Sequence, residues 1–511
     1  MLNNPLLPGF YPDPSICRVG DDYYMVTSSF TYFPGVPVFH SRDLMHWEQI
    51  GHCLTRPEQL PLDWQAISGG VYAPTIRCHD GLFYMVTTNV SHGGNFFVTA
   101  ADPAGPWSDP VYVKGAPGID PTIFWDDDGT AYMMGTTDWK EAVPGVWIGQ
   151  VDLEKGCVVG ERVLAWRGAL RKASAPEAPH LYKKDGWYYL MIAEGGTEDF
   201  HAVTIARSQH ILGPYEGYRG NPILTHRHLG FDYPIANVGH GDLVQTQNGE
   251  WYMVMLASRI YGGYHKNLGR ETYIAPVDWS GEWPVVSPGT GKVEWTYPAP
   301  KLPEHPYAEP DHDDFRDMCW NTLGTPEDGT FSTDGKVLTL RSTCDWLEPE
   351  KLPHPAAPNG CPGFYGRRQQ HMTFSAAVTL AAPDRGMAGL LLLQHGFNGL
   401  FVGLTRTENG LVMRAIRNEK YGKPDYDNPR DYPREMKLLY EAPFDGSECT
   451  LTIAAKGQQH SLMVNDRVLA ETDGSFLGSE TAGGFVGAYV GCCVMGAGAE
   501  AAFRDFRYTG E

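Results

Sequence analysis

The chain has 511 residues, which allows two or more domains at roughly 150 residues each. Its formal net charge of −21 argues against nucleic acids and anionic membranes as partners, because both present phosphate groups that the chain would repel. Aromatic residues make up 12% of the chain beside 59 glycines and 39 prolines, a composition that favours β-rich architecture with many turns over helical bundles.

The N-terminal stretch, MLNNPLLPGFYPDP, contains neither the basic segment nor the apolar segment of a secretory signal peptide. No run of about 18 apolar residues occurs, so no membrane-spanning helix is expected. The ten cysteines show no C-x-x-C spacing, and free thiols are the expected state. These features together predict a cytoplasmic protein without membrane association.

Five segments along the chain share one pattern, in which a Gly, Asp or Asn turn is followed by aromatic residues and then by β-branched residues, Met or Leu. They are GDDYYMVTSS, DGLFYMVTTN, DGTAYMMGTT, DGWYYLMIAE and NGEWYMVMLA, and a second turn-bounded hairpin follows each. Two hairpins per repeat are typical of propeller blades, whereas a long sandwich would not repeat such a unit five times. Residues 1–300 are therefore predicted to form a five-bladed β-propeller.

The repeat also selects one position in each unit, 11 or 12 residues before the aligned tyrosine. These positions hold Asp13 in FYPDPSI, Tyr72 and Ala73 in GGVYAPTI, Asp120 in GIDPTIF, Glu177 in SAPEAPHLY and His240 in NVGHGDLV. The strand that starts there is the innermost of its blade, so the five positions are expected to be equivalent and to converge on the axis. The prolines on both sides of Asp13 predict an extended backbone at that carboxylate.

Three carboxylic acids that converge on one axis repel one another, so at least one is expected to keep its proton near neutrality. A protonated carboxyl can act as a general acid and an ionised one as a general base, and such a pair is typical of glycoside hydrolysis. One alternative is that the acids bind a cation in the channel. A second alternative, a non-catalytic sugar-binding propeller, would be expected to lack one of the three acids.

The motifs GFYPDPSICRVGDDYY, GGVYAPTI, GIDPTIFWDDDG, PEAPHLYKKDGWYYLMIAEGG, NVGHGDLV and NLGRET follow in order along residues 1–300. By these motifs the chain resembles glycoside hydrolase family 43, the five-bladed β-xylosidases and α-L-arabinofuranosidases. The resemblance implies that Asp13 is the general base, Glu177 the general acid, and Asp120 the residue that orients Glu177 and modulates its pKa. It also implies inversion, for which the base and acid carboxyls lie about 6.5–9.5 Å apart.

The resemblance implies roles for further residues. Arg270, in NLGRET, would reach the sugar in the −1 pocket, or else form a salt bridge between blades. Phe30 would line an apolar wall of that pocket, or else pack in the core, and Tyr72, beside Ala73, stands where many relatives have tryptophan. His240 would help to hold a divalent cation, often calcium, with waters as most of its ligands, because calcium takes six to eight oxygens. The alternative for His240 is a hydrogen-bonded histidine in the channel.

The stretch YPAPKLPEHPYAEPDHD is dense in proline and acid, and residues 301–312 within it are predicted to form a linker. In residues 313–511, alternating runs such as KVLTLRS, FSAAVTL, GLFVGLT and HSLMVND predict strands with short turns, which fits a β-sandwich. The stretch GFYGRRQQHMTFSA resembles the C-terminal sandwich of many family members. In relatives that domain packs on the propeller and can lend a loop to the active-site rim, or it has a structural role only.

The sequence thus predicts an all-β, inverting exo-glycosidase that removes terminal β-1,4-linked xylose from xylo-oligosaccharides. An α-L-arabinofuranosidase, or a bifunctional enzyme acting on arabino-oligosaccharides, stays open as the alternative, because the two glycosides present similar hydroxyl groups. Short imported oligosaccharides are the expected partners, and the resemblance implies a homo-oligomer.

Overall fold

The computed structural model describes residues 1–62, 67–138, 143–308, 310–343, 363–395, 398–420 and 434–511. It confirms the predicted fold class, a five-bladed β-propeller followed by a β-sandwich. Among the described residues the only helices are a 3-10 turn, Ser475–Leu477, and one α-helical turn, Ser479–Ala482. No helix in the described part of the chain is long and apolar enough to cross a membrane.

Each blade is one antiparallel four-stranded sheet with its strands in chain order, as the two-hairpin repeat predicts. From the first blade to the fifth, the strands are Ser15–Val19, Asp22–Val26, Gly35–Ser41 and Glu48–Leu54; Thr75–His79, Leu82–Asn89, Gly94–Ala100 and Val111–Tyr112; Thr122–Trp125, Ala131–Thr136, Val146–Asp152 and Cys157–Trp166; Glu177–Lys184, Trp187–Glu194, Ala202–Ser208 and Glu216–Gly217; Ile235–Gln245, Trp251–Arg259, Glu271–Asp278 and Val285–Val286.

The repeated tyrosines all lie on the second strand of their blade, and the apolar residue that follows each of them is fully buried. These residues are Met25, Met85, Met133, Leu190 and Met253. Successive side chains on a strand point to opposite faces, so the repeat places one large apolar side chain in the contact between blades each time. A two-stranded pairing of Leu2–Asn3 with Thr296–Tyr297 joins the start of the chain to the end of the propeller.

The second domain consists of two packed sheets. Their strands, in spatial order, are Arg434–Pro443, Gly410–Lys420, Asn398–Thr407, Met387–His395, Tyr489–Met495, Gly363–Arg368, Asn321–Leu323 and Tyr32–Phe33 in one sheet, and Phe331–Thr333, Val337–Arg341, Glu500–Gly510, Thr373–Ala381, Glu448–Lys456, Gln459–Val464 and Arg467–Asp473 in the other. Fully buried Leu390, Val402, Leu451 and Ile453 belong to the apolar core between them.

The two domains share a sheet. Tyr32–Phe33 lies in the loop between the second and third strands of blade 1, yet it pairs with Asn321–Leu323 of the sandwich. The predicted linker, of which residue 309 lies outside the described residues, packs on blade 1: the His305 amide donates to Asp43 over 2.7 Å. Backbone hydrogen bonding therefore fixes the sandwich against the propeller close to Phe30.

The eight cysteines of the described residues are free thiols, as expected. The remaining two, Cys344 and Cys361, lie outside those residues.

Candidate active site

Strand pairing fixes the register of the five innermost strands and shows that four of the five selected positions are equivalent. The tyrosines pair with Cys17, Arg77, Phe124, Tyr182 and Val244. Four residues before these partners lie Asp13, Ala73, Asp120, Ala178 and His240. The predicted equivalence of Glu177 is therefore wrong by one residue, and a register shift between Glu177 and His180 accompanies the offset.

The backbone at these positions is left-handed, not extended. The φ angle is 55° at Asp13, 55° at Asp120, 51° at Ala178 and 51° at His240, so the predicted extended backbone of Asp13 is wrong. Asp and His adopt this region more readily than most residues. Non-glycine residues in it cost on the order of 1–3 kcal/mol and cluster at functional sites. A strained left-handed residue is thus repeated at the equivalent position of four innermost strands around the axis.

Asp13 is buried and held by two donors. The Ser28 hydroxyl donates to its Oδ2 over 2.6 Å, and Nη1 of Arg270 donates to its Oδ1 over 2.6 Å. Burial by itself would raise the pKa of Asp13, but the charge of Arg270, the neighbouring His240 and the Ser28 hydrogen bond hold this pKa below its usual value. Asp13 is therefore ionised near neutrality and suited to accept a proton.

Glu177 and Asp120 have the opposite character. Burial and the negative charge of Asp13 raise the pKa of Glu177 to about 7. Burial and the charges of Glu177 and Asp13 raise the pKa of Asp120 well above its usual value. The Ala178 amide donates to Oδ2 of Asp120 over 3.2 Å, so Asp120 anchors the peptide that carries Glu177. The site therefore pairs an ionised carboxylate with carboxyls that keep a proton.

Arg270 and three aromatic rings form the wall beside Asp13. The Arg270 guanidinium carbon lies 5.6 Å from the ring centre of Phe30 and 5.9 Å from that of Phe485. Tyr72 completes the cluster, with its ring centre 5.1 Å from Phe30 and 6.0 Å from Phe485. Burial raises the pKa of Tyr72 to about 12, and the nearby acids Asp120, Asp13 and Glu177 add to this rise. Tyr72 thus stays a neutral hydrogen-bonding group at the site.

Ala73 is buried next to Tyr72. Arg270 forms a salt bridge with Asp13, and Phe30 is buried yet part of the wall. Contact of either residue with a sugar in the −1 pocket stays a prediction.

Several residues of the site carry no signal in the repeat. Phe485 comes from the sandwich: its carbonyl accepts from Nη2 of Arg270 over 3.2 Å, and its amide donates to the Ser68 hydroxyl over 2.9 Å. Thr197 accepts from Nη1 of Arg270 over 2.9 Å. Ser28 lies 15 residues from Asp13 in the sequence. Only its position on the same blade could have indicated that it donates to Asp13.

His240 does not form a ligand cluster of the kind that calcium needs. Its Nδ1 lies 3.8 Å from Oδ1 of Asp13, and burial lowers the pKa of His240, which keeps the ring neutral. The oxygens of Asp13 are engaged by Ser28 and Arg270, and the Arg270 guanidinium would repel a second cation. The donor set at His240 therefore does not fit a calcium ion bound by protein ligands.

A different group of potential metal ligands occurs at the start of the sandwich. One ligand atom each from His312, Asp317 and Cys319 lies within 4.8 Å of the others, and this is the only such group within the described ranges. Nδ1 of His312 is 2.9 Å from Oδ1 of Asp317, and the Cys319 amide donates to the same oxygen over 2.9 Å. Hydrogen bonds within the turn thus already use the side chain of Asp317.

Comparison with known proteins covers both domains. Residues 2–284 match the family model Glycosyl hydrolases family 43, and residues 312–509 match Beta xylosidase C-terminal Concanavalin A-like domain. A "Xylosidase/arabinosidase" of Butyrivibrio fibrisolvens is 42% identical, covering 96% of this chain and 95% of that protein. A "Non-reducing end alpha-L-arabinofuranosidase BoGH43B" of Bacteroides ovatus is 38% identical, covering 97% and 92%. The crystal structure of a xylan beta-1,4-xylosidase from Bacillus halodurans C-125 superposes with a TM-score of 0.87 at 33% identity over 100% of both chains.

Proposed function

The chain belongs to glycosyl hydrolase family 43, and on that premise we propose that it is an inverting exo-glycosidase that removes terminal β-1,4-linked xylose from xylo-oligosaccharides. Glycoside hydrolysis of the xylosidase/arabinosidase type is what the family establishes. The choice of xylose, the linkage and the stereochemistry are the parts that we propose.

The observation that carries the proposal is the opposite protonation of Asp13 and Glu177. Asp13 is ionised, because Arg270 lowers its pKa, and it can take a proton from an attacking water. Glu177, with its pKa raised to about 7, can give a proton to the leaving glycosidic oxygen. General acid and base groups are worth about 10²–10⁴-fold each in rate.

In a single displacement the water attacks the anomeric carbon on the face opposite the leaving oxygen. The bond from the water oxygen to carbon forms while the glycosidic bond breaks, so the configuration inverts. Asp13 receives the water proton, and Glu177 protonates the departing oxygen. Asp120 holds the backbone next to Glu177 through the Ala178 amide, while burial and the negative charge of Asp13 favour the protonated form of Glu177.

The wall of Arg270, Phe30, Tyr72 and Phe485 suits a pentose. The aromatic rings offer apolar faces to a sugar ring, and the guanidinium offers donors to its hydroxyl groups. A pentopyranoside has no exocyclic CH₂OH group, so a compact wall of this kind favours it over a hexose. Xylose is proposed as the preferred sugar because a solved structure similar over the full chain is a β-1,4-xylosidase.

The second candidate is α-L-arabinofuranosidase, alone or with xylosidase activity. It is favoured by one relative that carries that activity in its name and by another described as a xylosidase/arabinosidase. Both functions use the same acid and base, so they differ only in how the wall holds the sugar ring.

The test is kcat/KM on p-nitrophenyl β-D-xylopyranoside and p-nitrophenyl α-L-arabinofuranoside, followed by proton NMR of the first-formed sugar. Preference for the xyloside with initial release of α-xylose supports the proposal. Preference for the arabinofuranoside supports the second candidate, and initial release of β-xylose contradicts inversion.

No step above depends on the calcium ion expected near His240, where the protein donors do not fit such an ion. The homo-oligomer and the cytoplasmic location stay predictions, which light scattering and cell fractionation would test.

A further inference from the structure

The guanidinium of Arg77 connects the innermost strands beneath the acids. It forms a forked ion pair with Asp242, with 2.9 Å from Nη1 to Oδ2 and 3.1 Å from Nη2 to Oδ1. Nη2 also lies 2.9 Å from Nδ1 of His180. Arginine only donates hydrogen bonds, so Nδ1 of His180 is the acceptor and its ring proton sits on Nε2.

Further donors of Arg77 reach blades 1 and 2. Nη1 donates to the Ser15 hydroxyl and to the carbonyls of Ile16 and Ile76, over 2.8–3.3 Å. With His180 on blade 4 and Asp242 on blade 5, one side chain contacts the first strands of four blades. Those strands are the innermost of their blades, so the guanidinium occupies the axis.

The side chains that bind Arg77 belong to residues that follow the site residues in the sequence by two or three positions. Ser15 is two residues after Asp13, and Asp242 is two residues after His240. Both partners thus lie close in sequence to a site residue, on the innermost strand of the same blade. His180 follows Glu177 by three residues, across the register shift in that strand. Arg77 therefore binds the strands that carry the proposed base and acid.

Both carboxylate oxygens of Asp242 are engaged by the ion pair with Arg77 and by further hydrogen bonds. Burial would raise the pKa of Asp242, but the charge of Arg77 holds this pKa far below its usual value. Its Oδ2 also accepts from the Ser15 hydroxyl over 2.7 Å and from the Ile16 amide over 3.0 Å, and its Oδ1 accepts from the Tyr182 hydroxyl over 2.7 Å. A carboxylate bound in this way has no free oxygen to offer a metal ion.

A calcium ion on this axis would need six to eight oxygen ligands. The carboxylates that face the axis at Asp13 and Asp242 are each already paired with an arginine. We propose that Arg77 is the resident cation of the propeller axis, a positioning residue that takes the place of a divalent ion and fixes the strands bearing Asp13, Glu177 and His240. This inference rests on the proposed function only for the roles of Asp13 as base and Glu177 as acid.

The first test uses the wild-type protein. Metal content is measured by mass spectrometry, and the melting temperature and kcat on the aryl glycoside are measured after EDTA treatment and again with added CaCl₂. The proposal expects no stoichiometric divalent metal and no change in either quantity. Stoichiometric calcium, or a loss with EDTA that CaCl₂ restores, would overturn it. Metal content and melting temperature need no substrate, so failure of the proposed function shows separately, as absence of glycosidase activity.

The second test uses Arg77→Met, which keeps the side-chain length without charge, and Arg77→Lys, which keeps the charge without the fork. Misplaced catalytic groups are expected to lower kcat about 10-fold or more in Arg77→Met, with KM within about twofold, and Arg77→Lys should recover part of that loss. The matched control is Arg207→Met, because Arg207 is ion-paired with Glu282 away from the axis, and it should keep kcat. Wild-type kcat in Arg77→Met would refute the positioning role.

Arg77→Met leaves the buried charge of Asp242 uncompensated and could fail to fold. The double variant Arg77→Met with Asp242→Asn removes both charges and is expected to melt at a higher temperature than Arg77→Met alone. A double variant no more stable than the single one would show that the pair does not hold the axis together.

Discussion

Nη1 of Arg270 lies 2.6 Å from Oδ1 of Asp13, in a pocket where both side chains are almost fully buried. This contact links the fifth blade to the first and keeps the proposed base ionised. It also brings the sandwich into the site, because Nη2 of the same guanidinium donates to the Phe485 carbonyl. One arginine thus connects the chemistry of the propeller to the second domain.

The role of Asp13 predicts a large loss of activity in Asp13→Asn. Asparagine keeps the shape and tolerates the left-handed backbone, so the fold should persist while the base is lost. The expected fall in kcat is about 10²–10⁴-fold, measured on p-nitrophenyl β-D-xylopyranoside. Asp80→Asn is the matched control, since Asp80 is also left-handed but exposed in a hairpin turn. Equal activity of Asp13→Asn and Asp80→Asn would remove Asp13 from the mechanism.

The role of Glu177 predicts a loss that depends on the leaving group. Glu177→Gln cannot donate a proton, which matters most when the leaving oxygen is a poor leaving group. The loss in kcat/KM is expected to be about 10-fold or more greater for xylobiose than for an aryl xyloside. Equal losses on both substrates would show that Glu177 is not the general acid.

The two pKa shifts predict the pH profile of kcat/KM. The base must be ionised, so activity is lost as the pH falls through the pKa of Asp13, which lies below the usual value for aspartate. The acid must be protonated, so activity is lost as the pH rises through the pKa of Glu177, near 7. Maximal activity is therefore expected in the weakly acidic range.

Arg270→Met tests the influence of one charge on both pKa values. The Arg270 charge lowers the pKa of Asp13 and of Glu177, so its removal should move the acidic and the alkaline limb of the profile to higher pH. An unchanged acidic limb would contradict the assignment of that limb to Asp13.

Phe485 predicts that the sandwich contributes to substrate binding. Phe485 is 39% exposed beside Phe30 and Tyr72, so Phe485→Ala should change the melting temperature little. Loss of this face of the wall is expected to lower kcat/KM about 10-fold, mainly through KM. Leu438→Ala, also at an exposed apolar residue of the sandwich, serves as the control and should leave both values unchanged. Unchanged kinetics of Phe485→Ala would limit the domain to a structural role.

The sequence alone determined the blade count and most of the site. A hairpin depends on neighbouring residues, so its turn and alternation are visible locally. Five repeats placed Asp13, Asp120 and His240 at equivalent positions of the innermost strands. Glu177 was found too, but its offset by one residue became visible only in the strand pairing of the folded blade.

Tertiary structure decided the features that arise between residues far apart in the chain. The Phe485 amide is hydrogen-bonded to Ser68, which is 417 residues away in the sequence, and Arg77 to Asp242, which is 165 residues away. The shared sheet at Tyr32–Phe33 likewise joins segments that local pattern assigns to different domains. Tertiary structure also decides the protonation states of the site residues, because burial and neighbouring charge exist only once the chain has folded. The residue types of the site and their expected roles could thus be read from the sequence, whereas the burial and charges that ionise Asp13 and keep Glu177 protonated depend on the fold.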